Sequence, residues 1–386
     1  MKTSKLLFST VIAVLAVFVA SSTVMAQNDA TGNEKPLITT LRLEARADID
    51  YSNFSVETRN PGLDNTRTAA DDKYGFHGRY FNLHMGGNIG DKFTYYFRQR
   101  IKAETGSIRF FDNTDFLWLD YQADKNWSLR FGKDALAVGG FDYDAAPIDV
   151  FLQGYYWDMF YCFQLAASGA WTSNDGNHTL RAQVASSPFS YTGSAYGETN
   201  LLSYNFLWNG KMSHLQTLYS INAFQSTRSG VEDGSSHFMG YLVLGNQLSY
   251  EGWTAYVDLI SRFDGNNFGG NYAAIGKLVS DLGPNWQLFV KAAYTRSEYT
   301  PWGDNYKDCL SLPNQTELYG GVGCFFRPAN CKDVRLHAFV AYFSNQYDLK
   351  SGPTVVTVTE NYPCINVGAT WNINVIKSWQ QRKKIF

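Results

Sequence analysis

After its first two dozen residues the 386-residue sequence contains no apolar run long enough for a membrane helix. A helical membrane protein repeats stretches of about 20 apolar residues, and a mean hydropathy of -0.28 is too polar for that class. Charge of one sign is also missing, with 33 Lys+Arg against 35 Asp+Glu. A nucleic-acid partner would ask for a clustered basic surplus, so none is expected. The five cysteines, Cys162, Cys309, Cys324, Cys331 and Cys364, lack paired CxxC spacing, which argues against zinc. No Gly-x-Ser-x-Gly element occurs, and the six histidines are scattered. No hydrolytic constellation therefore stands out, and neither a cofactor nor an enzymatic activity is expected.

Aromatic residues are abundant: 25 Tyr, 27 Phe and 10 Trp make up 16% of the chain. The N-terminus is equally distinctive. Lys2 and Lys5 precede the apolar run Leu6–Ala20, and Val24-Met25-Ala26 supplies a small-x-small ending. This reads as an export signal over residues 1–26, cleaved after Ala26. Residues 27–35 are polar and read as a disordered lead-in. An exported, aromatic-rich chain with a polar average fits a transmembrane β-barrel, in which one face of each strand meets lipid and the other meets water. A secreted β-sandwich or propeller that binds glycans is the soluble alternative.

Alternation favours the barrel. From Leu37 to Tyr51 the odd positions include Leu41, Leu43, Ala45, Ala47 and Ile49, while the even ones carry Arg42, Glu44, Arg46, Asp48 and Asp50. A period of two sends these sets to opposite faces. One face suits lipid; the other suits a wet lumen. A hairpin follows, with Phe81, Leu83, Met85 and Ile89 on one arm, Gly90-Asp91-Lys92 as the turn, and Phe93, Tyr95, Phe97 and Ile101 on the other. Six further hairpins and a last strand at Pro363–Val375 bring the expected total to 16. An even number is the rule for bacterial outer-membrane barrels. The fold expected is all-β, a 16-stranded antiparallel transmembrane barrel over residues 36–379, with short periplasmic turns and longer extracellular loops. A basic tail, residues 380–386, follows it. Aromatics directly after short turns (Phe93, Trp127, Trp253, Trp286) suit an interfacial girdle.

The longest connection is the third long loop, Asp134–Phe160. It carries Asp134, Asp142, Asp144, Asp149 and Asp158 and no Lys or Arg. By alternation, Arg42, Arg46, Arg98, Arg100, Lys102 and Arg130 point into the lumen. A barrel of this width leaves an aqueous channel, and charged walls set selectivity. One charge pair at 4 Å is worth about 4 kcal/mol at an effective dielectric of about 20, less in a wide wet pore. Calcium at Asp142 and Asp144 is the other use of such carboxylates, but it wants six to eight oxygen ligands and no EF-hand spacing is present. Cys324 and Cys331 flank a turn and form the most local disulfide pair; small buried or lipid-facing thiols are the alternative.

The stretches Phe81–Lys102 (FNLHMGGNIGDKFTYYFRQRIK) and Trp127–Lys133 (WSLRFGK) resemble the 16-stranded porins, and more narrowly the phosphate-selective porin O and P type. The resemblance implies an outer-membrane channel for passive diffusion of small hydrophilic solutes and ions, a homotrimer in outer-membrane lipid, and a third loop folded into the lumen. With that fold the acidic loop would face the basic wall. Two features depart from the family pattern. The final residues alternate Gln380, Arg382 and Lys384 before Phe386, and the loop is acidic where phosphate preference would call for basic residues. General diffusion is therefore the expected function. Anion or phosphate selectivity, a non-channel anchor or adhesin, and a barrel enzyme are the alternatives.

Overall fold

The structure, a computed structural model, describes residues 36–59, 66–101, 113–152, 154–158, 161–189, 201–227, 236–264, 267–298, 314–329, 331, 333–351 and 354–376. The expected export signal, lead-in and basic tail lie outside these residues, as do Lys102 and Cys309.

Sixteen strands follow one another: β1 (Thr40–Arg59), β2 (Thr66–Ile89), β3 (Phe93–Arg100), β4 (Thr114–Gln122), β5 (Trp127–Ala135), β6 (Phe163–Thr172), β7 (His178–Ser186) and β8 (Leu202–Met212) form the first half. The second half is β9 (Leu215–Thr227), β10 (Ser236–Tyr250), β11 (Trp253–Asp264), β12 (Asn267–Asp281), β13 (Trp286–Ser297), β14 (Gln315–Phe326), β15 (Val334–Ser351) and β16 (Thr354–Asn374). Each strand pairs with the next, and β16 pairs antiparallel with β1, so the sheet closes and no edge remains. Among the described residues no helix is long and apolar enough to cross a membrane.

Six of the seven short turns fall where Gly, Asp and Asn place them; the turn between β8 and β9 is Ser213-His214, because the ladder runs on through Asn209 and Gly210 to Met212. Three of the expected long loops do not. Segments 52–72, 261–271 and 343–362 are largely strand, leaving six residues between β1 and β2 and two each between β11 and β12 and between β15 and β16. The reason is physical. Apolar alternation ends where lipid ends, but ladder hydrogen bonds continue as long as two backbones stay paired.

The alternation sorts faces as expected. Leu117, Leu119, Leu129, Phe131, Val257, Leu259, Ile365 and Val367 are exposed on the outside, and Phe93, Trp127, Trp253 and Trp286 are exposed beside the short turns. The ladder shifts register at several places, and two of these bulges bear on the lumen. One leaves Arg79 unpaired between Tyr80, opposite Arg46, and Gly78, opposite Ala47. The other leaves Asp115 unpaired between Thr114, opposite Gln99, and Phe116, opposite Arg98. A bulge re-aims a side chain, and here each turns a charged residue toward the lumen.

The disulfide considered for Cys324 and Cys331 is not formed; both thiols are free. Cys324 lies on the outward face of β14 in register with Leu288 and Ala338, while Cys331 is exposed in the turn after it.

Candidate functional site: the lumen and its inner loop

The segment between β5 and β6 carries two short helices, α1 (Phe141–Asp144) and α2 (Tyr155–Asp158), and a 3-10 turn at Pro147–Asp149. It lies inside the barrel, anchored strand by strand. The Ala137 amide donates to Gln183 Oε1 on β7 at 2.8 Å, and the Gly139 amide donates to Ser220 Oγ on β9 at 2.8 Å. The amides of Phe141 and Asp142 donate to the two carboxylate oxygens of Asp258 on β11, at 2.9 and 2.7 Å. Asp258 thus caps the free N–H groups at the start of α1, which has no capping side chain of its own. Gly140 makes the approach possible: its φ is +95°, and a Cβ there would lie 3.2 Å from Asp258 Oδ2.

Further along, Asp142 is buried and accepts from Lys291 on β13 and, at 2.9 Å, from Tyr256 on β11. Lys291 also donates to the Leu152 carbonyl. Arg335 on β15 meets Asp149 at 2.5 Å, and Arg46 on β1 donates to the Val150 carbonyl at 2.6 Å. Tyr156 reaches back to the Arg296 carbonyl at 2.9 Å. Beneath these bonds Leu136, Val138, Leu152, Tyr156 and Trp157 pack with Phe224, Tyr241, Val243, Ile260, Ile275 and Phe289 of the wall. Burial also pushes the thiol of Cys162, which follows α2, up to about 12.

The opposite wall, β1 to β5, is charged. Arg46 grips Asp48 at 3.0 and 2.7 Å in a two-point bond, and His337 from β15 meets the same carboxylate at 2.9 Å. Gly368 leaves room for that crossing, since a Cβ there would lie 2.5 Å from His337 Nε2. Arg79 reaches Asp48 at 3.3 Å and also Asp50. Arg42 approaches Glu44 at 3.8 Å, and Glu44 holds His84 at 3.2 Å. Arg98 and Arg100 share one oxygen of the buried Asp115, at 2.9 and 2.8 Å. Arg130 joins Asp120 at 2.9 Å and Asp134 at 3.1 Å, and lies 3.9 Å over the Trp118 ring.

Two cavities border the inner loop. One, of about 480 Å³, lies between Asp144, Ala145, Ala146 and Pro147 of the loop and Arg98, Arg100 and Phe116 of the wall. The other, of about 620 Å³, lies between Val150–Leu152 and residues of β1, β2, β15 and β16, among them Asp50, Arg79, Phe343 and Tyr362.

A closed sixteen-stranded sheet with a charged inner wall and a loop tethered inside it is the architecture of an outer-membrane channel. The sequence profile of the phosphate-selective porin O and P family matches residues 43–270, more than half of the chain. The chain belongs to that family. It is an outer-membrane porin. An anion-selective porin from Comamonas acidovorans superposes with a TM-score of 0.57 at 12% identity, over 86% of this chain and 99% of that one. The outer-membrane channel DcaP of Acinetobacter baumannii gives 0.57 at 11% identity, over 86% and 96%. At such identities the likeness is one of fold. No curated protein matches the sequence.

The porin brings together Arg42, Arg46, Arg98 and Arg100 on one wall and places Arg130 beside them; Lys102 lies outside the described residues. Apart from Arg46, which also donates to the Val150 carbonyl, these arginines do not find their partners on the loop. They meet carboxylates of the wall itself, Glu44, Asp48, Asp115 and Asp120. The loop aspartates are dispersed. Asp134 is part of β5 and pairs with Arg130 and, at 3.7 Å, with Arg181. Asp142 and Asp149 turn to Lys291 and Arg335. Asp144 alone of the four whose side chains are described is exposed, in the cavity that Arg98 and Arg100 line; the side chain of Asp158 is outside the description. Sequence reasoning missed Lys291, Arg335, Arg181 and Asp258. The same alternation could have found the first two, since Lys291 shares its face with Phe289 and Ala293, and Arg335 with His337.

Proposed function

We propose that this porin carries small hydrophilic solutes and ions by passive diffusion, through the space left between its inner loop and the wall of β2 to β4. The carrying observation is the cavity that separates Asp144–Pro147 from Arg98 and Arg100. The loop is the narrowing element in this reading, because it fills the far half of the lumen with packed side chains and leaves the charged half open. Most wall arginines are matched by neighbouring carboxylates, so the field is local: it orients dipoles and tolerates both signs of ion. Weak anion preference is the second reading, favoured by one feature. Arg98 and Arg100 have a single wall carboxylate between them, a surplus positive charge on that wall that faces Asp144 of the loop across the cavity.

The role is transport without catalysis. Export by residues 1–26 precedes assembly in the outer membrane. Assembly is as a homotrimer, for which the small aliphatic outer face of β1 (Leu41, Leu43, Ala45, Ala47) is the support. Planar-bilayer recording of the refolded protein under a KCl gradient tests the whole reading. Stable steps in multiples of three are expected, with a reversal potential near zero or displaced toward anions. Silence from a verified folded sample would refute the channel.

A further inference from the structure

We propose that Tyr80 is the side chain that sets the size limit of the channel, closing against Val150 of the inner loop. The proposal rests on the diffusion reading above and names the residue that governs it.

The two cavities beside the inner loop share two lining residues, Tyr80 and Val150, and no others. A residue that lines both of two adjoining spaces is part of the partition between them. These two come from opposite sides, one from the wall strand β2 and one from the loop. Together they form a waist between the larger cavity at β1, β2, β15 and β16 and the smaller one at β3 and β4.

Each half of the waist has a reason to be where it is. Val150 is pinned: its carbonyl accepts from Arg46 Nη1 at 2.6 Å, and Arg46 is itself held in two-point contact by Asp48. The neighbouring ring of Phe151 lies 4.0 Å from the same guanidinium. The loop edge therefore cannot retreat without breaking its bond to a buried, fixed guanidinium. Tyr80 is placed by the bulge beside it. With Arg79 unpaired in the ladder, β2 sends two consecutive side chains to the lumen side. Arg79 turns away to Asp48 and Asp50, and Tyr80 is left facing the loop.

The chemistry of the waist differs from that on either side. Arg79 and Asp50 flank it in one cavity, Arg98 and Arg100 in the other, yet the waist itself offers an aromatic ring with a hydroxyl and an isopropyl group. It carries no formal charge. A solute passing between the cavities is sorted there by cross-section, while charge acts before and after. Size selection and ion selection are thus assigned to different residues and separate experimentally.

The test uses the full-length refolded porin in planar bilayers, with single-channel conductance in KCl and the mass cut-off for graded polyethylene glycols as readouts. Tyr80→Ala is expected to raise the conductance and admit larger polymers. Tyr80→Trp is expected to lower both. Tyr80→Phe keeps the ring and should match the wild type, and the reversal potential should stay unchanged in all three. A conductance and cut-off in Tyr80→Ala equal to those of the wild type, with Tyr80→Trp also unchanged, would overturn the assignment while leaving the channel reading intact. A wild type that conducts nothing would take down both, and is recognised because every variant would then be silent too.

Discussion

The inner faces of β1–β4 and of β9–β13 are built on the same two-residue period. One is lined by Arg42, Glu44, Arg46, Asp48, Arg98 and Arg100; the other by Phe224, Tyr241, Val243, Ile260, Ile275 and Phe289. The first could stand in water by itself. The second could not, because a contiguous apolar surface in a wet lumen forgoes about 25 cal/mol for every Å² left uncovered. The inner loop covers it with Leu136, Val138, Leu152, Tyr156 and Trp157. The difference teaches that the loop's position is set less by its five aspartates meeting the arginine wall than by an apolar seat on the far side. Its charges then follow: Asp142 and Asp149 find Lys291 and Arg335 on the strands that form or flank that seat.

The contrast breaks most directly at Lys291. Replacing it with alanine leaves Asp142 buried without its cation and takes from the Leu152 carbonyl one of its two donors, the other being the Tyr319 hydroxyl at 3.3 Å. Breaking a buried pair from one side costs about 3–5 kcal/mol, so the loop should leave its seat. Thermal unfolding should fall and conductance should rise and become noisy. The double variant Asp142→Asn, Lys291→Met should recover much of the stability, since an apolar replacement for both partners is often neutral. If the single variant is silent in both measurements, the ion pair does not hold the loop.

A smaller effect is expected at Asp258, whose removal as Asp258→Ala leaves two amides at the start of α1 without acceptors. Loss of a cap costs about 0.5–2 kcal/mol. The same readouts should move in the same direction by less, and Asp258→Asn should restore part of the loss.

On the charged half the sharpening variant is Asp115→Asn. It removes the one carboxylate shared by Arg98 and Arg100 and should displace the reversal potential toward anions, with little change in polymer cut-off. An unchanged reversal potential would mean that this wall does not border the ion path. The least effect is expected outside both halves, in the turn between β6 and β7. There the Ser173 hydroxyl, then the amide and side chain of Asn177, hold Asp175 down to about 2. A depressed carboxyl contributes stability above its unfolded value of about 3.9 and loses it as pH falls through about 2. Asp175→Ala should therefore flatten the acid limb of a stability curve in that window and leave conductance untouched.

Much of the barrel was legible from residues alone. Leu41, Leu43 and Ile49 against Arg42, Glu44 and Asp48 gave the faces of β1, and Gly90-Asp91-Lys92 gave a turn, because both signals are local. The apolar pattern makes the hairpins β1–β2, β11–β12 and β15–β16 look shorter than they are, since pairing outlasts it. The bulges at Arg79 and Asp115 were invisible, because a bulge is a mismatch between two strands and neither strand shows it by itself. Membership of the porin family was legible as a resemblance in Phe81–Lys102 and Trp127–Lys133.

Taken by itself, the sequence determined the sixteen strands, their inward and outward faces and most of the tight turns. Each depends on residues within a few positions of one another. Only the tertiary structure decided which charges pair, where the inner loop rests and what stands opposite Tyr80. His337 meets Asp48 across 289 residues of sequence, and Arg46 meets Val150 across 104. Such partners are chosen by closure of the barrel, which sets strands side by side that the chain keeps far apart.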